Sequence, residues 1–341
     1  MRLKYLEVFP IHTGLLIDSF DPVSSGHLEV CRSALADGSA DRVILILSGD
    51  PSSCLAPAED RWQMLTAACS GSKLLIPDLP PLNHSLSGAG DILEFFRKKN
   101  PEDRFVLLSA DVTDTLPPSV SEYCELKGLY DKVPRFAHAG LWIDQLFEAL
   151  NPHRFAHSLS VALTSAQLAF RFGLDAVRAE EAGLLHDCAK CFSLSEMQKI
   201  SRKHHLTDDQ DFLSSASLLH SIVGAWTARR EYGMEDPEVL EAIMYHNTGC
   251  AGMSPLAMCV CLADFIEPNR ELFPGLEEVR RLSEVSLEKA LLLSLECVAA
   301  HVQSGGKQLH PRTLGAIEWL RSLPAVQFAA EPSGKNIKNE S

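Results

Sequence analysis

The stretch "EEAGLLHDCAK", residues 180–190, decides how the carboxyl-terminal half of this chain is read. An apolar run leads into the pair His186-Asp187, and Lys190 follows three residues later. An ionisable pair at the end of an apolar helix is costly to bury unless something compensates it. Candidates for that compensation lie elsewhere in the chain: His157 in "FAHSLSVAL", His220 in "SLLHSIVGA", His246 in "EAIMYH" and Asp264 in "VCLADFIEP". Each sits in or beside an apolar stripe, at corresponding places in successive helical segments. Imidazoles and carboxylates in this mix suit iron, manganese or zinc-like divalent ions. Helices packed round a core can bring such side chains to one point.

Taken singly, these residues have plainer readings. His157 fits a core histidine with hydrogen-bonded nitrogens, and Asp264 fits a cap for a neighbouring helix. The set shifts the balance. Four histidines and two aspartates in apolar surroundings would each be costly to bury alone, whereas one or two cations at the centre let them compensate one another. By contrast His204-His205, in the polar run "SRKHHLTDDQ", reads as a solvated face.

Working outward, the region from about residue 138 reads as helix after helix. Asn151-Pro152, Asp236-Pro237 and Ser254-Pro255 are N-cap residues followed by proline at the first helical position. Asp175 opens another helix, Ser193 and Glu196 match a capping box, and Gly173 and Gly233 fit helix ends. The helix begun at Ser254 stops before Pro268. The first 135 residues read differently. "HTGLLIDSF", "DRVILILS", "KLLIPDL" and "RFVLLSAD" are short apolar runs between turn residues, and "SGHLEVCRSALAD" and "PAEDRWQMLTAACSG" are helical. This alternation predicts an α/β domain on a parallel sheet. The expectation is therefore a multidomain chain: α/β over 1–135, all-α over 138–325 and a polar, flexible tail over 326–341.

A length of 341 residues suits two domains, and 46% hydrophobic residues is ordinary for globular proteins. No apolar run approaches the ~18 residues of a membrane span, and "MRLKYLEVFP" lacks the apolar stretch of a signal peptide. The expectation is a cytoplasmic protein with no membrane partner. A net charge of −14 opposes nucleic-acid binding, which relies on displacing phosphate counterions with cations. Ten cysteines scattered through apolar segments read as reduced thiols, and the one CxxC, Cys188–Cys191, lacks the strand context of a thioredoxin-like motif.

The order H…HD…H…H…D, with the words "HSLSVA", "AGLLHDCAK", "LLHSIVGA", "AIMYHNTG" and "LADFIEPNR", resembles the HD-domain phosphohydrolases. Within them it resembles the symmetrical bis(5′-nucleosyl)-tetraphosphatases of the YqeK type, over about residues 138–325. The resemblance implies an all-α, iron-binding hydrolase that splits diadenosine tetraphosphate into two ADP, with manganese or another divalent ion as substitutes. By the same resemblance His157, His186, Asp187 and Asp264 match ligands of a primary metal. His220 and His246 match positions that either complete a second metal site or touch substrate phosphates. Lys190 and Arg270 are implied as phosphate-facing cations, with Arg154 and the Thr248-Gly249 backbone as further substrate contacts. The plainer reading of Lys190 and Arg270 is surface salt bridges. Asp187, as ligand or bridge, is also implied to orient the attacking water.

"SFDPVSSGHL", residues 19–28, resembles the opening loop of nucleotidylyltransferases of the nicotinate-mononucleotide adenylyltransferase type, and the likeness runs over about residues 10–130. The departures are specific. Ile17 and Asp18 stand where that family has two glycines, and Ser24 stands for its first histidine, leaving His27, read here as a structural residue in a turn. The late Ser-Ser-Thr-x-x-Arg segment and a lysine near "PSSCLAPAEDRW" are missing. The expectation is a degenerate domain without adenylyl transfer, left to bind nucleotide, position the hydrolase or form homodimer contacts. Three alternatives stay open: residual adenylyltransferase activity, hydrolysis of another nucleotide, and a non-catalytic nucleotide sensor.

Overall fold

A computed structural model describes residues 10–48, 54–79, 88–111, 115–130, 132, 136–306 and 308–327. The chain divides into two compact units, Met1–His157 and Ser158–Ser341.

In the first unit, strands and helices alternate: β1 His12–Asp18, α1 Ser25–Ala36, β2 Arg42–Leu47, α2 Ala58–Cys69, β3 Leu75–Asp78, α3 Ala89–Lys99 and β4 Arg104–Leu108. The strands form one parallel sheet in the order β3-β2-β1-β4. The apolar runs form these strands; β1 and β2 are buried along their centres, whereas β3 buries only Leu75 and β4 only Phe105. Leu15, Ile44 and Ile46 pack with Ile92 and Phe96 of α3 and with Phe105. Gly14 lets β1 lie close to its neighbours, since a Cβ there would meet Leu108 Cδ1 at 3.0 Å. After β4 the chain enters α4 Pro118–Lys127 and α5 Ala139–Ala149.

Helix α5 is tied to this unit by a polar network. Lys127 Nζ donates to Asp144 Oδ1 at 2.6 Å and lies 3.2 Å from Asp60 Oδ1, which accepts the Tyr123 hydroxyl at 2.7 Å. His27 is the third residue of α1, not a turn residue: it is buried, and its Nδ1 accepts the Ser24 N–H at 2.9 Å.

Helix α6, Pro152–Arg171, begins in the first unit and continues through the boundary at His157. It is followed by α7 Ala176–Leu185, a single 3₁₀ turn at Cys188–Cys191, α8 Leu194–His204, α9 Gln210–Ser214, α10 Ala216–Glu231 and α11 Pro237–Tyr245. Then come α12 Pro255–Ile266, α13 Leu276–Leu282, α14 Leu287–Ser304, α15 Pro311–Ser322 and α16 Pro324–Gln327. The expected caps are present. Asp175, Asp236 and Ser254 accept N–H bonds of their own first turns, and Ser193 and Glu196 form the capping box.

The CxxC stretch belongs to the 3₁₀ turn rather than to a longer helix, and all ten cysteines are free thiols. Among the described residues no helix is long and apolar enough to cross a membrane. The tail read as flexible lies, from residue 328 on, outside the described residues.

Candidate metal centre

The first ligand pair owes its place to a close helix crossing. A Cβ on Gly183 of α7 would fall 2.9 Å from Val161 O and Ala162 Cα and 2.7 Å from Ser165 Oγ of α6. Only glycine lets the two backbones approach so closely. His157 lies one turn before that crossing on α6, and His186 caps the end of α7 one turn beyond it. Ligand atoms of His157, His186 and Asp264 lie within 4.8 Å of one another, as do those of His186, Asp187 and His246. Gly224 of α10 makes room on another side, its missing Cβ position being 3.4 Å from His186 O.

The tautomers follow from geometry. Nδ1 of His186 is 2.7 Å from Gly183 O, Nδ1 of His246 is 2.7 Å from Ile243 O, and Nδ1 of His220 is 3.3 Å from Ala216 O. A carbonyl only accepts, so each Nδ1 carries a proton and each ring turns its Nε2 inward. Nε2 of His220 and Nε2 of His246 then face each other at 3.0 Å. Asp187 Oδ1 lies 3.3 Å from the first and 3.6 Å from the second. Lone pairs and a carboxylate oxygen crowded into a buried space repel unless a proton or a metal cation sits among them. The donor set fits a divalent cation: imidazole nitrogens held by carbonyls behind them, with carboxylate oxygens alongside.

The electrostatics agree. Burial opposes the charge on Asp187 most strongly, yet His186, His220 and Lys190 hold its carboxyl well below the ordinary value. Burial, reinforced by His186 and His220, pushes His246 down to about 3, so this imidazole stays neutral and available as a ligand.

The other expected site residues fall in different positions. Lys190 Nζ is 2.8 Å from Asp187 Oδ2, on the side away from His220. Arg270 is engaged with Asp264 itself, donating from Nη2 to Oδ1 at 2.5 Å and from Nε to the main-chain oxygen at 2.8 Å. Arg154 is half-buried in the first turn of α6. The Thr248 hydroxyl donates to Gly249 O at 2.9 Å, and the Gly249 N–H donates to Tyr245 O at 2.8 Å, so both groups are used within the turn that ends α11.

Beside the cluster opens a cavity of about 750 Å³, lined at one end by His246, Asp264 and Arg270. Its remaining wall includes Phe265, Phe273, Cys297 and His301, residues that sequence reasoning missed. Phe265 directly follows Asp264 and Phe273 lies in the loop after Arg270, whereas Cys297 and His301 are distant in the chain and reach the site through the packing of α14 beside α12.

Two family models match the chain: the HD domain over residues 154–269 and a cytidylyltransferase-like domain over residues 15–154. A Bacillus subtilis protein named symmetrical bis(5′-nucleosyl)-tetraphosphatase is 37% identical over 179 residues, 51% of this chain and 93% of the relative. The chain belongs to that family. A relative of the same name from Halalkalibacterium halodurans is 37% identical, over 50% of this chain and 90% of its own length. A Mycoplasma genitalium protein named "Probable nicotinate-nucleotide adenylyltransferase/Ap4A hydrolase" is 33% identical over 46% of this chain and 45% of its own length. Among solved structures, a Clostridium acetobutylicum protein described as a predicted HD superfamily hydrolase involved in NAD metabolism is similar at 34% identity with a TM-score of 0.53. It covers 55% of this chain and 98% of that one. The chain is thus an HD-domain hydrolase with a nucleotidylyltransferase-like α/β domain before it.

Proposed function

We propose that the chain hydrolyses diadenosine tetraphosphate and related dinucleoside polyphosphates symmetrically, to two nucleoside diphosphates, in a catalytic region spanning 138–325. The observation that carries the reading is the convergence of His220 Nε2, His246 Nε2 and Asp187 Oδ1 beside a cavity with Arg270 at its edge. The names of the relatives at 37% identity support the choice of substrate. His157, His186, Asp187 and Asp264 are the proposed ligands of a primary ion, iron by preference. His220 and His246 are assigned either to a second ion or to substrate phosphates.

A bound divalent ion supplies charge neutralisation on phosphate oxygens and a water acidic enough to attack at neutral pH. The chain's own residues do the rest. Asp187 accepts from Lys190 through Oδ2 and keeps Oδ1 toward His220 and His246, which fixes the carboxylate in one orientation. Lys190, 30% exposed, and Arg270, 39% exposed, are the cations that can reach phosphate oxygens while still holding Asp187 and Asp264. Such cations stabilise the charge that develops in phosphoryl transfer.

The amino-terminal domain is proposed to have lost adenylyl transfer. His27 accepts the Ser24 N–H through Nδ1, so Nε2 carries its proton and faces Asp18 Oδ2 at 3.5 Å. Nδ1 is engaged inside the protein, and Nε2 is buried facing Asp18 without a close hydrogen bond. His27 facing its carboxylate, working against partial burial, brings Asp18 down to about 2, so a fixed anion stands where the resemblance places phosphates. Work on a small nucleotide in the cytoplasm, without nucleic acid or membrane, completes the reading, and a homodimer is compatible with it.

The test is substitution at the cluster. His186→Ala and Asp187→Ala should each lose bound metal and hydrolysis, while circular dichroism and thermal melting show the rest of the chain folded. Normal turnover with metal retained in both variants would refute the assignment.

A further inference from the structure

The cavity beside the metal cluster has two chemically different ends. Its charged side chains, Asp264 and Arg270, stand with His246 and Asn247. The remainder is mostly apolar: Phe265, Phe273, Pro274 and Val298, with His301 and Ser304 at one margin. One helix gives the direction. The lining residues of α14 run from Ser294 to Ser304, a span of ~15 Å at the rise of an α-helix. Leu295 lies at the metal end, because a Cβ on Gly249, three residues past His246, would meet Leu295 Cδ1 at 3.3 Å. His301 and Ser304 therefore lie at the end away from the cluster.

Phe273 is fixed between these ends. A Cβ on Gly275, which has φ +96°, would fall 2.6 Å from Cys297 Sγ, so the loop carrying Phe273 and Pro274 is pressed against the middle of α14. Phe265 meets the Phe273 ring edge-to-face, with centroids 5.1 Å apart and planes at 88°, which sets the ring's tilt. Phe273 is nonetheless 38% exposed, unusual for a ring so well held. A cavity with cations and metal ligands at one end and a fixed, partly bare aromatic ring further along suits a ligand with an anionic head and a flat apolar body. A bare phosphate chain would leave the aromatic portion unfilled.

We infer that Phe273 is the platform on which one base of the nucleotide stacks, with the α14 face ending at His301 as the rest of that base subsite. The inference rests on the reading of the substrate as a nucleotide. It deepens that reading by assigning specificity to the loop 270–275 and α14, none of which carries a metal ligand. Base–aromatic stacking tolerates any base but favours large rings.

The test compares ADP with inorganic pyrophosphate as ligands of the full chain loaded with its divalent metal, titrated by calorimetry. Pyrophosphate reaches only the charged end. Phe273→Leu keeps apolar bulk without the ring and should weaken ADP binding roughly tenfold, the effect expected of one lost stack, while pyrophosphate binds as before. Phe273→Tyr keeps the ring and should bind ADP as the unaltered protein does. Three results overturn the inference: unchanged ADP affinity in Phe273→Leu, equal losses for ADP and pyrophosphate, or no ADP binding by the unaltered chain. Failure of the hydrolase reading looks different. There the unaltered chain binds ADP with the Phe273 dependence intact but leaves diadenosine tetraphosphate uncleaved.

Discussion

At Asp187 and Asp264 two carboxylates share one environment yet are held by different cations. Asp187 is buried and fixed by Lys190 from the next turn, whereas Asp264 is fixed by Arg270 from the loop after its helix. Partners of this kind orient a ligand without touching the ion. Arg270→Ala should therefore lower metal affinity about 10- to 100-fold, measured by competition with a chelator, because Asp264 loses two anchors together. Unchanged affinity would leave Arg270 with a substrate role only. The aspartates and histidines were legible in the sequence because ionisable residues inside apolar words such as "GLLHD" and "CLADF" ask for a partner. The bond from Arg270 to Asp264 was not legible, since "EPNR" reads equally well as a solvent-facing turn.

Among the elements, α7 carries the most constraint. Its Gly183 abuts the α6 backbone, and the Gly183 carbonyl orients His186. Gly183→Ala should destabilise the fold by about 1–3 kcal/mol through overpacking, and it should loosen metal binding by pushing His186 away from His157. A thermal melt with and without metal reads both effects. The same helix holds Glu181, pushed up to about 6 by burial first and then by Asp236 and Asp175. Its folded pKa lies above the unfolded value of about 4.3. The folded state thus holds the extra proton, and this contribution to stability is present below pH ~4.3 and lost as pH rises through 6. Glu181→Gln should flatten this stretch of the stability profile and raise stability at pH 7, read by urea unfolding across that range. Most helix limits were legible because caps are local, as at Ser193 and Glu196. The 3₁₀ turn at Cys188–Cys191 escaped because nothing in the spacing of CAKC separates one tight turn from a continuing helix.

For the whole molecule, the two kinds of domain were legible from the change of hydrophobic period, because parallel strands and amphipathic helices leave different patterns. What stayed hidden depends on contacts between distant segments. Tyr123 and Lys127 meet Asp60 and Asp144 across more than one helix, a network that holds α5 to the first unit. His27 with Asp18 turns a nucleotidylyltransferase-like loop inward on itself. The cavity wall on α14 lies outside every motif. A chain so arranged concentrates its chemistry in the helical domain. The central claim is symmetrical cleavage at a metal site built from His157, His186, Asp187 and Asp264.

The most direct measurement is to incubate the purified chain with diadenosine tetraphosphate, separate the products, and quantify bound metal in the same sample. The account predicts ADP as the sole nucleotide product, with iron or another divalent ion bound at one or two per chain. ATP together with AMP, or no turnover by metal-loaded protein, would contradict it.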